Sequence, residues 1–240
     1  MTIRTLAFVV VSILISSCSE PTASDSLDVS NSNTTASFEL DRTHYRTARG
    51  ETVADNADVT LWNRNTTFGV NGGRVYLSGT ELPWLGAPYQ NYTPAGERLA
   101  IPLYFDGRYH VFTVSGSSEF AAMSDSIRSP GAPLTVISPT PIDTISRSAG
   151  FTILWNATGA EAAYVWISDT SRTIGHQNFA TSTDDDGSLT LTPSDLSTLI
   201  EGPINVAIYC GNHKSVHGAN GRDYDLRISE SYIVFLNLKP

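Results

Sequence analysis

The chain has 240 residues, with 15 Lys and Arg against 24 Asp and Glu and a formal net charge of −9. An acidic surface repels phosphate backbones and anionic lipid head groups, so nucleic acid is not an expected partner. Two cysteines are too few for a disulfide framework, and stability must come from ordinary hydrophobic cores.

Arg4 gives the N-terminus a positive charge, and Leu6 to Ile15 form an apolar run interrupted only by Ser12. At ~1.5 Å per helical residue that run spans roughly 15 Å, about half a hydrocarbon core. It therefore reads as the apolar region of a signal peptide and is too short to be a transmembrane helix. Ile15-Ser16-Ser17-Cys18 follows, and it resembles the lipobox of bacterial lipoproteins. The resemblance implies removal of residues 1–17, acyl (palmitate-type) chains on Cys18, and a lipid anchor in a bacterial cell envelope. Ser19 resembles outer-membrane-directed lipoproteins more than retained ones. Loss of Arg4 leaves 14 basic against 24 acidic residues, and a lipidated Cys18 leaves Cys210 without a partner in the chain. No later stretch approaches the ~18 apolar residues of a membrane span.

Residues 18–36 read as a flexible linker. Only Leu27 and Val29 are large and apolar, too little to offset the ordering entropy. Such a chain has a coil dimension of roughly 20–25 Å, enough to lift a folded part off a lipid surface.

Short alternating segments follow, which predict an all-β fold of two tandem β-sandwich domains, 37–129 and 134–240. In the first, Val59–Trp62 and Arg74–Leu77 alternate with period two. Leu99, Ile101, Leu103 and Phe105 share one face of a predicted strand, Asp106-Gly107 reads as a hairpin turn, and Arg108–Val114 as the return strand. Pro102 puts the first of these at a sheet edge. Ser126–Pro133, with two prolines and a glycine, marks a stiff joint. In the second domain, strands are predicted at Leu134–Ile137, Phe151–Trp155, Ala163–Ser168, Ser188–Leu191, Ile204–Cys210 and Tyr232–Leu238. Thr192-Pro-Ser-Asp195 predicts one helical turn, with Thr192 as cap and Pro193 first.

Ser138-Pro-Thr-Pro, Phe151-Thr-Ile-Leu-Trp155, Leu189–Leu196 and Gly202–Cys210 resemble the immunoglobulin-like and fibronectin-type-III-like modules of bacterial surface proteins. The resemblance covers 134–240 and lacks the second cysteine that antibody-type domains place opposite Cys210. It implies a β-sandwich and no activity, since this architecture hosts unrelated functions; Trp155 is predicted in the core because it continues the face of Phe151 and Ile153.

Several constellations bear on chemistry. Cys210-x-x-His213-x-x-x-His217, with Asp223 and Asp225 nearby, has zinc-like spacing. Cys210, however, shares strand parity with Ile204, Val206 and Ile208, and the histidines fall in a Gly/Asn-rich predicted loop, so no metal is assigned. Asp184-Asp-Asp-Gly187 offers carboxylates without an EF-hand pattern and reads as a charged hairpin tip. The 82–97 loop holds Trp84, Tyr89, Gln90, Asn91 and Tyr92, whose rings and amides could stack on sugars or grip a protein, or else cover the core. His44, His110 and His176 have no partner in the sequence. No nucleophile elbow, zinc-protease motif or phosphate loop occurs, so no catalytic residue and no cofactor are expected.

The sequence therefore predicts a lipid-anchored, extracytoplasmic, non-catalytic binding, adhesion or structural module. Its partners would be the membrane, through the anchor, and a protein or glycan ligand. The alternatives are a carbohydrate-binding accessory lipoprotein using the 82–97 loop, and a metal or enzymatic site at Cys210–Asp225. The anchor has a direct test. Wild type should partition into detergent and Cys18→Ser into the aqueous phase, because each buried acyl CH₂ contributes roughly 0.8 kcal/mol. Equal solubility of the two would remove the lipoprotein reading.

Overall fold

The computed structural model describes residues 34–63, 69–86, 88–141, 143–169, 178–217 and 223–240. The predicted signal peptide, Cys18, most of the predicted 18–36 linker and His176 lie outside the described residues. Within them the protein is all-β apart from one helical turn, Pro193–Leu196. That turn forms as its sequence predicts: Thr192 accepts from the Asp195 N–H while the Asp195 carboxylate accepts from Thr192.

The fold is built on two long hairpins. Strands β1 (Thr34–Thr47) and β2 (Gly50–Asn63) make the first, and β14 (Gly202–His217) and β15 (Asp223–Lys239) the second. They join side by side, with β1 parallel to β15 from Thr35↔Asp223 to Arg46↔Val234. Adding β11 (Ala162–Asp169), β12 (Asn178–Thr183) and β5 (Tyr89–Gln90) gives one sheet in the order β12-β11-β14-β15-β1-β2-β5. Strand β9 (Thr144–Ser146) pairs the end of β15 beyond β1. At roughly 3.3 Å per residue, β15 alone runs about 55 Å.

Two small sheets pack side by side on one face of this long sheet. The first holds β3 (Val75–Leu77), β4 (Thr80–Leu82), β6 (Tyr109–Val114) and β7 (Met123–Arg128). It closes a core with Phe38, Leu40, Val59, Leu61, Leu226 and Ile228. The second holds β8 (Val136–Ser138), β10 (Phe151–Trp155) and β13 (Ser188–Leu191). It closes a core with Val165, Ile167, Val206, Ile208, Tyr232 and Val234. Trp155 belongs to this second core at 3% exposure. The inward residues of β15 keep one parity throughout, so Leu226 and Ile228 serve the first core and Tyr232 to Leu238 the second. Each half is thus a sandwich, and both sandwiches share a sheet.

That sharing changes three sequence expectations. The linker ends earlier than residue 36: Ala36 is buried, registers with Leu61, and belongs to β1. The segment 211–217, predicted as a loop, continues β14, because β15 supplies a ladder partner for every residue from Gly211↔Ser229 to His217↔Asp223. The predicted Leu99–Val114 hairpin does not form a ladder. Ile101, Leu103 and Phe105 are buried alternately, but β6 pairs with β3 and β7 instead. The Leu103 carbonyl accepts from the Arg42 guanidinium, and only the Gly107 turn survives, at φ +82°.

A sheet running through both cores should make them unfold together. Leu40→Ala in the first core and Ile208→Ala in the second should each lower the same calorimetric transition, by about 2–5 kcal/mol. Two transitions that respond separately to the two substitutions would show that the cores are independent.

Candidate functional site

The 82–97 loop is spent on the first core. Tyr89 is 1% exposed; its phenol oxygen accepts from the Gly72 N–H at 2.9 Å and its O–H reaches the Gly73 carbonyl at 2.7 Å. Trp84 packs on Tyr89 with ring centroids 4.7 Å apart and covers the core. Asn91 is fully buried: its Oδ1 accepts from Ala57 N–H, and its Nδ2 donates to the Asp55 and Leu99 carbonyls. Gln90 donates to Asp58, and Tyr92 lies under the Arg98 guanidinium. The five residues therefore make no common platform. Tyr89 and Asn91 replace ladder bonds that the short β5 cannot supply.

The zinc-like spacing also dissolves. Cys210 and His213 are three apart on a strand, so they point to opposite faces. Cys210 lies in the second core, where burial pushes its thiol pKa up. His213 Nε2 meets Asp225 Oδ1 at 3.2 Å on the other face. Among the described residues, no group of three or more His, Cys, Asp and Glu side chains could hold a metal ion.

Asp184–Gly187 is a crossing between sheets, not a hairpin tip, because β12 belongs to the long sheet and β13 to the small one. Asp185 points inward. It accepts from Trp155 Nε1 at 3.0 Å, from Thr158 N and Oγ1 at 2.7 and 2.9 Å, and from Ala160 N at 3.0 Å. Burial raises its pKa, but those four donors outweigh burial and hold it below the usual carboxylate range. A cleft of about 340 Å³ opens among Tyr109, Arg128, Glu161, Asn212, His213 and Lys214. Its polar groups bind one another: Asn212 donates to the Arg128 carbonyl, and Glu161 accepts from the His213 N–H.

The outward face of the long sheet is different. Over the second core, alternation turns Tyr164 and Trp166 of β11 outward, with Ala207 and Tyr209 of β14, Ile233 and Phe235 of β15, and Tyr45 of β1. The register aligns Trp166, Ala207, Ile233 and Tyr45 in one row across four strands, and Tyr164 beside Tyr209 in the next. Tyr45 and Phe235 are 39% and 37% exposed, while Ala207 beneath them is fully buried. The Tyr164 and Tyr209 centroids are 6.1 Å apart. Burial, then the nearby Tyr164, Tyr45 and Asp41, pushes the Tyr209 phenol up to about 12. Asn205, one residue pair along β14, has a buried Oδ1 without a hydrogen-bond partner among the described residues.

Sequence reasoning missed this face. The available signal was the run Ala162–Ile167, apolar at both parities, which marks a strand with two apolar faces. A rigid surface of rings beside an amide and a carboxylate can stack on flat apolar rings or sugar faces and accept hydrogen bonds.

No family model matches this chain, and no curated protein matches it. Among solved structures, a chain of a 1.5-MDa bacterial ice-binding adhesin, studied for host cell surface retention, aligns at 14% identity and a TM-score of 0.23. The alignment covers 86% of this chain and 66% of that one, a little under two thirds of its length. The IG1+IG2 fragment of DIP-gamma aligns at 11% identity and a TM-score of 0.20, covering 82% of this chain and 97% of that one. Likenesses at these TM-scores carry no argument about this protein.

Asp185 generates a prediction. A depressed carboxylate contributes stability above its unfolded pKa and loses it as pH falls through the folded value. Asp185→Asn should cost about 2–3 kcal/mol at pH 7 in urea unfolding, and the gap from wild type should narrow below about pH 4. A gap that is equal at pH 7 and pH 3 would show that the carboxylate's charge does not matter.

Proposed function

We propose that this protein is a lipid-anchored, extracytoplasmic binding or adhesion module of a bacterial envelope, without catalytic activity, and that it binds through the outward aromatic face. The observation that carries this reading is the register that sets Trp166, Ile233 and Tyr45 in one row beside Tyr209 and Phe235. Aromatic side chains on a stiff support are the commonest anchors of binding surfaces.

The topology supports the anchored arrangement. β1 begins at the end of the first core farthest from the second, since Thr35 registers with Asp223. A chain tethered ahead of residue 34 would hold the second core, and the aromatic face over it, away from the lipid. The carbohydrate reading moves here from the 82–97 loop. Asn205 Oδ1, which has no hydrogen-bond partner among the described residues, favours it, because a sugar hydroxyl would supply a donor. The enzymatic reading around Cys210–Asp225 is not carried forward, because Cys210 lies in the second core, away from the His213–Asp225 and His217–Asp223 pairs on the other face.

The test is retention of the protein on arrays of glycans and of immobilised proteins. Tyr45→Ala with Phe235→Ala should leave the melting temperature nearly unchanged, because both are more than a third exposed. Retention should fall about tenfold or more, as expected for interface anchors. Retention on glycans alone would favour the carbohydrate reading. Retention that is unaffected by the double substitution would place binding elsewhere, and no retention of wild type would leave a purely structural module.

A further inference from the structure

The inward face of the long sheet carries a polar band between its two cores, centred on His44. β1 enters the band after Leu40 of the first core. His44 Nδ1 lies 2.8 Å from Glu51 Oε1 of β2, and its Nε2 lies 2.7 Å from Glu230 Oε1 of β15. A neutral imidazole has one N–H and can donate to only one of these carboxylates; the doubly protonated ring donates to both. The ring stacks on Tyr232, with centroids 5.2 Å apart and planes at 12°. The Tyr232 hydroxyl donates to the second oxygen of Glu51 at 2.5 Å. Glu230 is 1% exposed, and its other oxygen accepts from the Leu134 N–H at 2.7 Å, on the segment that leads into the second core.

The other charged groups around the ring are two arginines and an aspartate. Arg42, two residues back on β1, is held bidentately by Asp55 of β2 at 2.7 and 2.9 Å. Arg46, two residues on, donates to the Val136 carbonyl of β8 and is also a constant positive charge beside Tyr232 and Glu51. From β14, the buried Cys210 registers with Glu230 and brings no charge. The proton on His44 is therefore the adjustable element of the band.

We propose that His44, Glu51 and Glu230 form a proton-operated clamp that fastens the tip of the β1–β2 hairpin, residues 43–53, to the second core. It is closed when the imidazole carries both protons and loosened when one leaves. Closed, the three side chains and the Tyr232 stack tie four segments together: β1, β2, β15 and the lead into β8. Loosened, one carboxylate faces a bare ring nitrogen, and the hairpin tip keeps only its ladder to β15 and the bonds that do not involve the imidazole: Arg46 to the Val136 carbonyl, Tyr232 to Glu51 and Ser231 to Thr43.

The pH window follows from sign. Burial lowers the His44 pKa, but the bonds to Glu230 and Glu51 outweigh it, and the net shift is upward from 6.5. The clamp's contribution is complete below the ordinary histidine value and fades as pH rises through the raised one. At the acid end Glu51 sets the limit. It is held below its ordinary value chiefly by the Tyr232 hydroxyl and then by His44, and its contribution is lost as pH falls through that lowered value. His110 works oppositely, because burial lowers its pKa, so total stability mixes the two histidines. The clamp must be read locally.

The experiment is imidazole nitrogen NMR of the whole chain, together with amide exchange of residues 43–53 corrected for intrinsic rate, from pH 5 to 9. In wild type both His44 ring nitrogens should be protonated at pH 6, with a titration midpoint above 6.5. Corrected exchange at 43–53 should then rise with pH, about tenfold for each unit by which the midpoint exceeds the unfolded value. In Glu230→Gln, which keeps an acceptor for Leu134, the midpoint should fall back toward 6.5. In His44→Gln, exchange at 43–53 should be fast and independent of pH. A wild-type midpoint at or below 6.5 overturns the proposal. So does exchange that ignores the His44 titration, and so does pH dependence that survives in His44→Gln. The wild-type measurement decides even if a variant does not fold.

Discussion

The fold depends on β15 passing unbroken from one hydrophobic core to the next, and on Glu230 sitting where it crosses. Ile228 belongs to the first core and Tyr232 to the second, so the residue between them on the inward face lies under neither. An apolar side chain there would merge the cores. A carboxylate at 1% exposure must instead be paired, or its burial costs several kcal/mol. Glu230 finds both partners at the junction, the His44 ring and the Leu134 N–H. Those two bonds fix where the first hairpin and the second small sheet meet the strand. Register follows, since a one-residue slip would turn Glu230 outward and expose every core side chain of β15.

The parity that builds the two cores also builds the outward face. Both small sheets occupy one side of the long sheet, so every second residue of β11, β14, β15 and β1 is left on the other. Over the first core these residues are short or charged: Ser37, Glu39, Asp41, Ser215, Asp225 and Arg227. Over the second they include Tyr164, Trp166, Tyr209, Ile233, Phe235 and Tyr45, set among Ser168, Asn205, Ala207 and Ser231. A strand buried on one face has no need of Tyr164, Trp166, Tyr209 and Phe235 on the other. Apolar area carried there is the part of the sequence that folding does not explain, which is the reason to look for binding on it.

Much of the local structure was legible in the sequence. Phe151–Trp155 and Ser188–Leu191 form strands with the predicted bounds, Trp155 is in the core, and the Thr192 cap closes as its side chains dictate. What was not legible is long-range. Gly211, Asn212 and His213 look like a loop because their residue types favour one, yet β15 holds them in a ladder and overrides that preference. Leu99–Phe105 alternates like a strand, yet Pro102 and the Arg42 guanidinium take it out of any sheet. His44 seemed unpartnered because Glu230 is 186 residues away and Glu51, though only seven away, comes beside it only through the β1–β2 register. The aromatic face was missed for the same reason: Tyr45 and Trp166 become neighbours only through two intervening strands. The 82–97 loop drew attention because its rings are close in sequence, and it is closeness in sequence that lets Trp84 and Tyr89 fold onto one core.

The two halves of the outward face would treat a partner differently. The aromatic half offers area to be desolvated, and on the proposed reading affinity would come from there. The half over the first core offers carboxylates in a protein already at net charge −9. At Asp41 burial raises the pKa to about 6 against the pull of the Ser229 hydrogen bond, with smaller upward contributions from the neighbouring Glu39 and Asp58. Carboxylates that already repel one another gain from an approaching cation and lose from an approaching anion. A ligand laid along the strands would therefore meet a field that selects against negative charge before any ring contact forms. The apolar half cannot make that selection, because stacking is tolerant of charge farther along the ligand. In a protein that binds through this face, selectivity and affinity would thus fall on separate stretches of the same strands, and β1, β14 and β15, common to both, hold those stretches in fixed register.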